Sequence, residues 1–127
     1  MSDYMKNTDR LGKIADGNTV CDFDPEETKR KISVSSAVAP FEYDGVKVNL
    51  IDTPGLFDFA GGFYEGVRAA DAVIITLSAK SGVLVGTEKA WKLATAQKKA
   101  KAFYVSKMDL ENADFNKVIA ALKEKFG

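Results

Sequence analysis

The chain of 127 residues contains no histidine. This absence excludes Ser-His-Asp and Cys-His catalysis, histidine-ligated zinc and proton relay through imidazole. Cys21 is the only cysteine, which excludes an internal disulfide and is consistent with a reducing compartment. The start of the chain lacks a signal-peptide pattern, and the longest apolar stretch, around 69–79, is interrupted by polar residues and too short to span a bilayer. We therefore expect a soluble cytoplasmic protein.

The sequence also has no excess of either charge. Its 18 lysines and arginines stand against 18 aspartates and glutamates, so the formal net charge is zero. No long-range field then attracts nucleic acid or an anionic membrane, and we expect neither DNA nor a membrane as a partner. Hydrophobic residues make up 46% of the chain, which is typical of a globular core and argues against disorder.

The first 36 residues differ in composition from the rest. They carry few large apolar groups and many charges, among them the acidic run at 22–27. Because such a stretch buries little surface, we expect a mobile arm or loop over residues 1–36, with a disordered terminus as the alternative. The periodic patterns of a folded α/β domain are confined to residues 37–127.

Strand and helix patterns alternate within that domain. Asp44-Gly45 is a strong hairpin signal between the alternating segments 41–43 and 46–51. The apolar runs 72–77 and 102–105 are typical of buried parallel strands. This alternation predicts a mostly parallel sheet with helices on both faces. Helices are predicted at 63–70, from Gly86-Thr87, and around Phe115, Val118, Ile119, Leu122 and Phe126, with Asn112 as the N-cap of the last.

Two polar motifs follow predicted strands. Asp52-Thr53-Pro54-Gly55 comes after the strand 46–51, and Ser106-Lys107-Met108-Asp109 comes after the strand 102–105. Ligands of open α/β sheets bind at the carboxyl ends of the strands, where a carboxylate such as Asp52 suits Mg²⁺ and a bare glycine amide suits a phosphate oxygen. The Asp109 carboxylate can accept two N–H bonds from a purine edge with adjacent donors, as in guanine, while the Lys107 stem lies along the ring.

With these motifs in this order, the chain resembles the GTP-binding domain of elongation factor G and its translational GTPase relatives. The resemblance covers nearly the whole chain, through the segments 10–17, 30–34, 52–59, 82–83, 87–88, 106–109 and 112–115. It implies a P-loop NTPase-like α/β fold, GTP and Mg²⁺ as cofactors, and the ribosome as a partner. It also implies that residues 1–36 include the segment equivalent to switch I.

The resemblance further implies roles for single residues. Ser33 stands where a switch I threonine hydroxyl ligates Mg²⁺, and Asp52 would hold the same ion through water. The Gly55 amide would sense the γ-phosphate, and Lys107 and Asp109 would bind the guanine base. The nucleotide-binding set is Asp52, Thr53, Pro54, Gly55, Leu56, Ser106, Lys107, Met108 and Asp109, and the metal set is Ser33 and Asp52.

Two departures from the family pattern are single substitutions. The histidine that follows Asp-x-x-Gly in translation factors and positions the attacking water is Leu56 here, so we assign no catalytic residue and expect slow or partner-dependent hydrolysis. Septins and immune-associated GTPases resemble this chain in carrying an apolar residue there. The asparagine that opens the guanine motif is Ser106, whose single donor and shorter reach are expected to weaken guanine binding by about 0.5–1.5 kcal/mol.

The third departure is the phosphate loop, Gly-x-x-x-x-Gly-Lys-Ser/Thr. Gly12-Lys13 is the only candidate, and it fails because Asn7 and Ile14 occupy the positions of the first glycine and the hydroxyl residue. We therefore expect an arm at 1–36 followed by a truncated P-loop NTPase-like G domain at 37–127, with weak or absent GTP binding.

In the family, the strand that leads into the phosphate loop lies between the strands equivalent to 46–51 and 72–77. Without it, these two strands pair directly, or a partner chain completes the sheet, or the domain is marginally stable. We expect direct pairing. The expected function is that of a GTP-binding domain fragment of an elongation factor G-like translational GTPase. The alternatives are a nonenzymatic pseudo-GTPase that binds the ribosome or another partner, and a fragment of a ribosome-protection factor.

Overall fold

The structure, a computed structural model, describes residues 16, 19, 21, 24–30, 32–55 and 60–127. The chain divides into two compact units, Met1–Arg68 and Ala69–Gly127. Strands and helices alternate along the described residues, so the predicted α/β class is confirmed. The elements are α1 (Pro25–Arg30), β1 (Ala37–Tyr43), β2 (Val46–Asp52), α2 (Ala60–Ala69), β3 (Ala72–Ser78), α3 (Val85–Ala96), β4 (Ala100–Ser106) and α4 (Phe115–Phe126).

The first unit contains the predicted hairpin. β1 and β2 pair antiparallel, and the turn between them places Asp44 at φ 49° and Gly45 at φ 74°. Positive φ at both central residues is the geometry that suits the twist of two-residue hairpins, and the Asp-Gly pair tolerates it. At the other end of the ladder Ala37 lies opposite Asp52, so the start of β1 lies beside the end of β2.

A short helix, α1, lies within the stretch that we expected to be a mobile arm. Asp24 caps it, because its Oδ1 accepts a hydrogen bond from the backbone N–H of Glu26 at 2.8 Å. Pro25 at the first helical position suits the fixed φ of proline. Glu26 and Arg30 form an ion pair at 2.7 Å one helical turn apart. Residues 24–30 therefore have local reasons to be helical that the composition of the stretch does not show.

The second unit is a parallel pair of strands with two helices on one face. β3 and β4 run in register from Ala72 opposite Ala100 to Ser78 opposite Ser106. Trp91 of α3 stacks on Phe103 of β4, with ring centroids 5.0 Å apart, and Phe126 of α4 contacts both rings. The core also contains Leu77, Val118 and Leu122, surrounded by Val83, Val105 and Ile119.

The other face of this parallel pair is open. Ile74 of β3 and Tyr104 of β4 point away from the helix-covered side and are 62% and 59% exposed. Each described strand has one hydrogen-bonded neighbour, β1 with β2 and β3 with β4. Our expectation that the strands equivalent to β2 and β3 pair directly is therefore wrong for the residues that the structure describes.

The start of α4 also differs from the prediction. Asp114, not Asn112, is the N-cap, because Asp114 has an extended backbone and accepts a hydrogen bond from Lys117 N at 2.9 Å. Asn112 has φ 65° and belongs to the preceding turn. Both residue types cap helices well, and the backbone conformation decides between them. At the other end, Gly127 is the C-cap, as its conformational freedom suggests.

One ion pair joins α3 to α4. Lys125 donates a hydrogen bond to Glu88, and this bond, followed by the charge of Lys125, holds the pKa of Glu88 below its ordinary value. A lowered carboxyl pKa means that the pair stabilises the folded state above the ordinary pKa of glutamate. This contribution is lost as the pH falls through the lowered value.

Candidate functional site

The loop after β2 carries the first predicted motif and is seated against α2. An ideal Cβ on Gly66 would lie 2.4 Å from Thr53 Cγ2, and one on Gly62 would lie 3.3 Å from Pro54 Cδ. Pro54 is buried, and Thr53 is half-buried. Two glycines one helical turn apart thus let the backbone of α2 approach the motif closely. The loop is held at its centre.

The two functional ends of this loop stay accessible. Asp52 and Gly55 are both exposed, on either side of the seated pair Thr53-Pro54. Asp52 and Gly55 therefore lie exposed on either side of a segment that α2 restrains. This is the arrangement that metal and phosphate binding require of these two groups.

We expect Gly66→Ala to destabilise the first unit by about 1–3 kcal/mol, because the new methyl group overlaps Thr53. Gly61→Ala is the matched control in the same helix, since nothing lies within 4 Å of its ideal Cβ. It is expected to be neutral or to stabilise by up to ~1 kcal/mol, the usual gain of alanine over glycine in a helix. Thermal unfolding followed by circular dichroism measures both. Equal effects of the two substitutions would contradict the close packing of α2 on the motif.

The segment that carries Ser33 is anchored by a residue that the sequence analysis missed. Glu27 of α1 is 1% exposed, and its Oε1 accepts hydrogen bonds from the backbone N–H groups of Val34 at 2.8 Å and Ser35 at 2.9 Å. Its Oε2 accepts from Asp24 N at 3.3 Å. The spacing Asp24-x-x-Glu27 is a capping-box pattern, and this was the available sequence signal.

Ser33 and Asp52 belong to the same end of the hairpin. Ser33 is half-buried and lies four residues before Ala37, the ladder partner of Asp52. Four residues span at most about 14 Å. A hydroxyl and a carboxylate are oxygen donors of the kind that Mg²⁺ takes, so this donor set fits the ion. Within the described ranges, no group of three or more His, Cys, Asp or Glu side chains could hold a metal ion.

The second motif forms a tight turn after β4. Lys107 has φ 57°, a left-handed conformation that is uncommon for residues with a side chain, and its carbonyl accepts a bond from Leu110 N at 3.4 Å. The side chains of Lys107, Met108 and Asp109 are exposed, Met108 by 51%. A cation, a flexible apolar group and a carboxylate therefore project together from a turn.

Ser106 fastens this turn to the neighbouring strand. Its hydroxyl donates to the Leu77 carbonyl at 3.2 Å, and its own carbonyl accepts from Ala79 N at 2.8 Å. Asp114 N in turn donates to the Ala79 carbonyl at 3.2 Å. The side chain of Ser106 therefore has a structural partner within its own unit.

The structure thus brings the predicted residues together in two groups, one in each unit. Ser33, Asp52, Thr53, Pro54 and Gly55 belong to the first, and Ser106, Lys107, Met108 and Asp109 to the second. Leu56 lies outside the described residues, as do Asn7, Gly12, Lys13 and Ile14 of the failed phosphate-loop pattern. Within the same described ranges, no helix combines the length and apolar character needed to cross a bilayer.

An α/β fold with an Asp-x-x-Gly loop after one strand and a Lys-x-Asp turn after another is typical of a GTP-binding domain. The family model described as the elongation factor Tu GTP binding domain matches residues 1–127, and the chain belongs to this family. This confirms the family and the P-loop NTPase-like fold expected from the sequence.

Individual relatives place the chain near elongation factor G. It is 39% identical over 118 residues to "Elongation factor G-like protein" of Mycobacterium tuberculosis, which covers 93% of the chain and 16% of that protein. It is 38% identical over 122 residues to "Ribosome-releasing factor 2, mitochondrial" of Drosophila ananassae, which covers 96% of the chain and 16% of that protein. A crystal structure of a Thermus thermophilus protein matches with a TM-score of 0.89 and 34% identity, over 94% of the chain and 18% of that structure. The chain therefore spans about one sixth of the length of these curated relatives.

Proposed function

We propose that this chain supplies the switch and guanine-binding parts of a GTP-binding domain in an elongation factor G-like translational GTPase. The observation that carries the proposal is the pair of restrained loops after β2 and β4. One exposes Asp52 and Gly55, and the other exposes Lys107 and Asp109. The family match over residues 1–127 supports GTP as the ligand.

In the first unit, we assign Mg²⁺ binding to two side chains and phosphate binding to one backbone amide. Ser33 and Asp52 would hold the metal ion, which neutralises phosphate oxygens when it is bound. The Gly55 N–H would donate to a phosphate oxygen. Because α2 restrains Thr53 and Pro54, this amide is presented with little further loss of conformational freedom.

In the second unit, we assign the guanine base to the turn after β4. The Asp109 carboxylate would accept two hydrogen bonds from the guanine edge, and the stem of Lys107 would lie on the ring. The Ser106 hydroxyl donates to Leu77 O within its own unit, so we do not assign it the bridge between base and phosphate. This is consistent with guanine binding weaker than that of a domain with asparagine at this position.

The ribosome is the proposed partner of the complete protein, because the similar proteins are named as elongation and ribosome-releasing factors. The cytoplasm stays the compartment that we propose from the sequence, although one of these relatives is named as mitochondrial. The second candidate function is that of a nonenzymatic pseudo-GTPase module, favoured by Ser106 and by Leu56 at the place of the family histidine. Phosphate release from GTP by the full-length protein in the presence of ribosomes discriminates the two, since a rate no higher than that of ribosomes alone supports the module.

We also propose that a further chain segment, from a partner or another part of the protein, completes the sheet. Each described strand has one ladder neighbour, so each two-stranded sheet has strand edges with which a further strand can pair. The mass of the purified chain in solution tests a partner of its own kind. A strictly monomeric chain that is stably folded would contradict the need for completion.

The 127-residue chain alone is expected to bind GTP·Mg²⁺ more weakly than micromolar. Its sequence lacks the glycine-rich loop and lysine that cradle the phosphates, which leaves the metal ligands and the Gly55 amide for a highly charged group. Isothermal titration calorimetry with GTP and Mg²⁺ measures this affinity. Titration with ATP is the control for nonspecific phosphate binding. A micromolar or tighter dissociation constant for GTP would contradict the expected weakness, and equal GTP and ATP affinities would contradict guanine recognition.

A further inference from the structure

Glu27 has the largest fully buried side chain among the described residues. A carboxylate removed from water is costly unless its oxygens accept hydrogen bonds, so its position needs a reason. A capping box explains one oxygen, which accepts the N–H of Asp24 at the start of α1. It does not explain the other oxygen, which turns away from the helix start to residues seven and eight positions further along the chain.

We infer that Glu27 is a positioning residue that fixes the backbone at Ser33. The N–H of Val34 belongs to the peptide plane that joins Ser33 to Val34, and the N–H of Ser35 belongs to the next plane. Both donate to the same oxygen, Glu27 Oε1, at 2.8 and 2.9 Å. Two adjacent peptide planes held on one charged acceptor restrain φ and ψ of Val34, the residue between them, and fix the Cα of Ser33, which belongs to the first plane.

We call the two hydrogen bonds from Val34 and Ser35 to Glu27 the clamp. The chain that follows the clamp is fixed at its other end as well. Ala37 is buried and begins the ladder with β2 opposite Asp52. Only Ser36 lies between the clamped pair Val34-Ser35 and this ladder. Ser33 is thus tied to α1 by Glu27 and to the Asp52 end of the hairpin by the chain itself. This part of the inference rests on the proposed function, in which Ser33 and Asp52 hold the same Mg²⁺.

The test compares Glu27→Gln with Glu26→Gln in the 127-residue chain without nucleotide. A glutamine keeps the shape of Glu27 but offers one uncharged acceptor oxygen in place of two charged ones. The bonds from Val34 and Ser35 therefore lose their charge assistance even where that oxygen still faces them. Glu26 is exposed, lies on the same helix and loses the same charge, but it bonds Arg30 and not the Ser33 segment. We expect amide hydrogen exchange at Val34 and Ser35 to become about tenfold faster or more in Glu27→Gln and to stay unchanged in Glu26→Gln.

The amides of Phe41 and Val48 separate positioning from general stability. They are ladder partners in the middle of the hairpin, several residues from the clamp. The inference predicts that their protection stays within about twofold of the unsubstituted chain in Glu27→Gln. If they lose protection as strongly as Val34 and Ser35, or if no amide changes, Glu27 does not position Ser33 and the inference is wrong.

The second arm adds Mg²⁺ and GTP at millimolar concentrations and follows the amide resonances. We expect the Ser33 signal to shift in the unsubstituted chain and in Glu26→Gln, and to shift several-fold less in Glu27→Gln. The Lys107 and Asp109 signals should respond equally in all three, because the guanine turn is in the other unit. An absent Ser33 shift in the unsubstituted chain would overturn the metal role proposed for Ser33, and the exchange experiment would still decide the clamp. A full Ser33 shift in Glu27→Gln would overturn the inference.

Discussion

Asp109→Asn is expected to change the base preference of the second unit from guanine to xanthine. The carboxylate of Asp109 offers two acceptor oxygens, which match the ring N–H and the exocyclic NH₂ of guanine. Asparagine offers one acceptor and one NH₂ donor, so its donor would face the guanine NH₂. Xanthine has a carbonyl at that position, and the amide matches it.

The size of the effect follows from the charge of the acceptor. Hydrogen bonds to a charged group contribute about 1.5–3 kcal/mol each, so the loss of one such bond weakens guanine binding by roughly 10- to 100-fold. Asp109 is exposed in a turn that Ser106 anchors to Leu77 O, so the substitution should leave the fold unchanged. The nucleotide affinity should change while the stability of the unit does not.

Titration with guanosine and xanthosine diphosphates, followed by the amide chemical shifts of residues 106–110, measures the affinity for each nucleotide in the millimolar range. Glu111→Gln is the matched control, because Glu111 is exposed, lies two residues away and loses the same charge. A general electrostatic effect would weaken or strengthen both nucleotides alike in both variants. If Asp109→Asn and Glu111→Gln behave identically, the turn after β4 does not read the base.

The position of this turn was predictable because its signals are local. The apolar run 102–105 predicts β4, and the charged residues that follow it have to lie beyond the strand. The hairpin was predictable for the same reason, since Asp44-Gly45 tolerates positive φ at both positions. Helix α4 followed from the spacing of its apolar residues, which confirms the value of periodicity in a segment of three turns.

The features that the sequence analysis missed are of a different kind. Glu27 accepts hydrogen bonds from Val34 and Ser35, and Ser106 donates one to Leu77. These bonds join residues that only the folded chain brings together. The strand partners of β2 and β3 are likewise set by tertiary structure, and the expected pairing of these two strands was wrong. Composition placed α1 in an arm, because charged residues dominate a helix whose one buried group is itself a carboxylate.

Leu122→Ala is expected to lower the free energy of unfolding of the second unit by about 2–5 kcal/mol. Leu122 is 7% exposed and packs with Leu77 of β3 and Val118 of α4 in the core. Its truncation removes buried apolar surface and leaves a cavity that the aromatic rings beside it fill only in part. For a domain with the usual total of ~5–15 kcal/mol, this is a large share of the stability.

Trp91 makes the measurement selective for this unit. It is the only tryptophan of the chain, and it stacks on Phe103 in the same core. Urea unfolding followed by tryptophan fluorescence therefore reports the second unit and not the hairpin. Lys123→Ala is the control, since Lys123 is the next residue of α4 and is exposed, and it should shift the stability by no more than about 0.5 kcal/mol. Equal unfolding midpoints for the two variants would mean that α4 does not pack on β3 and β4.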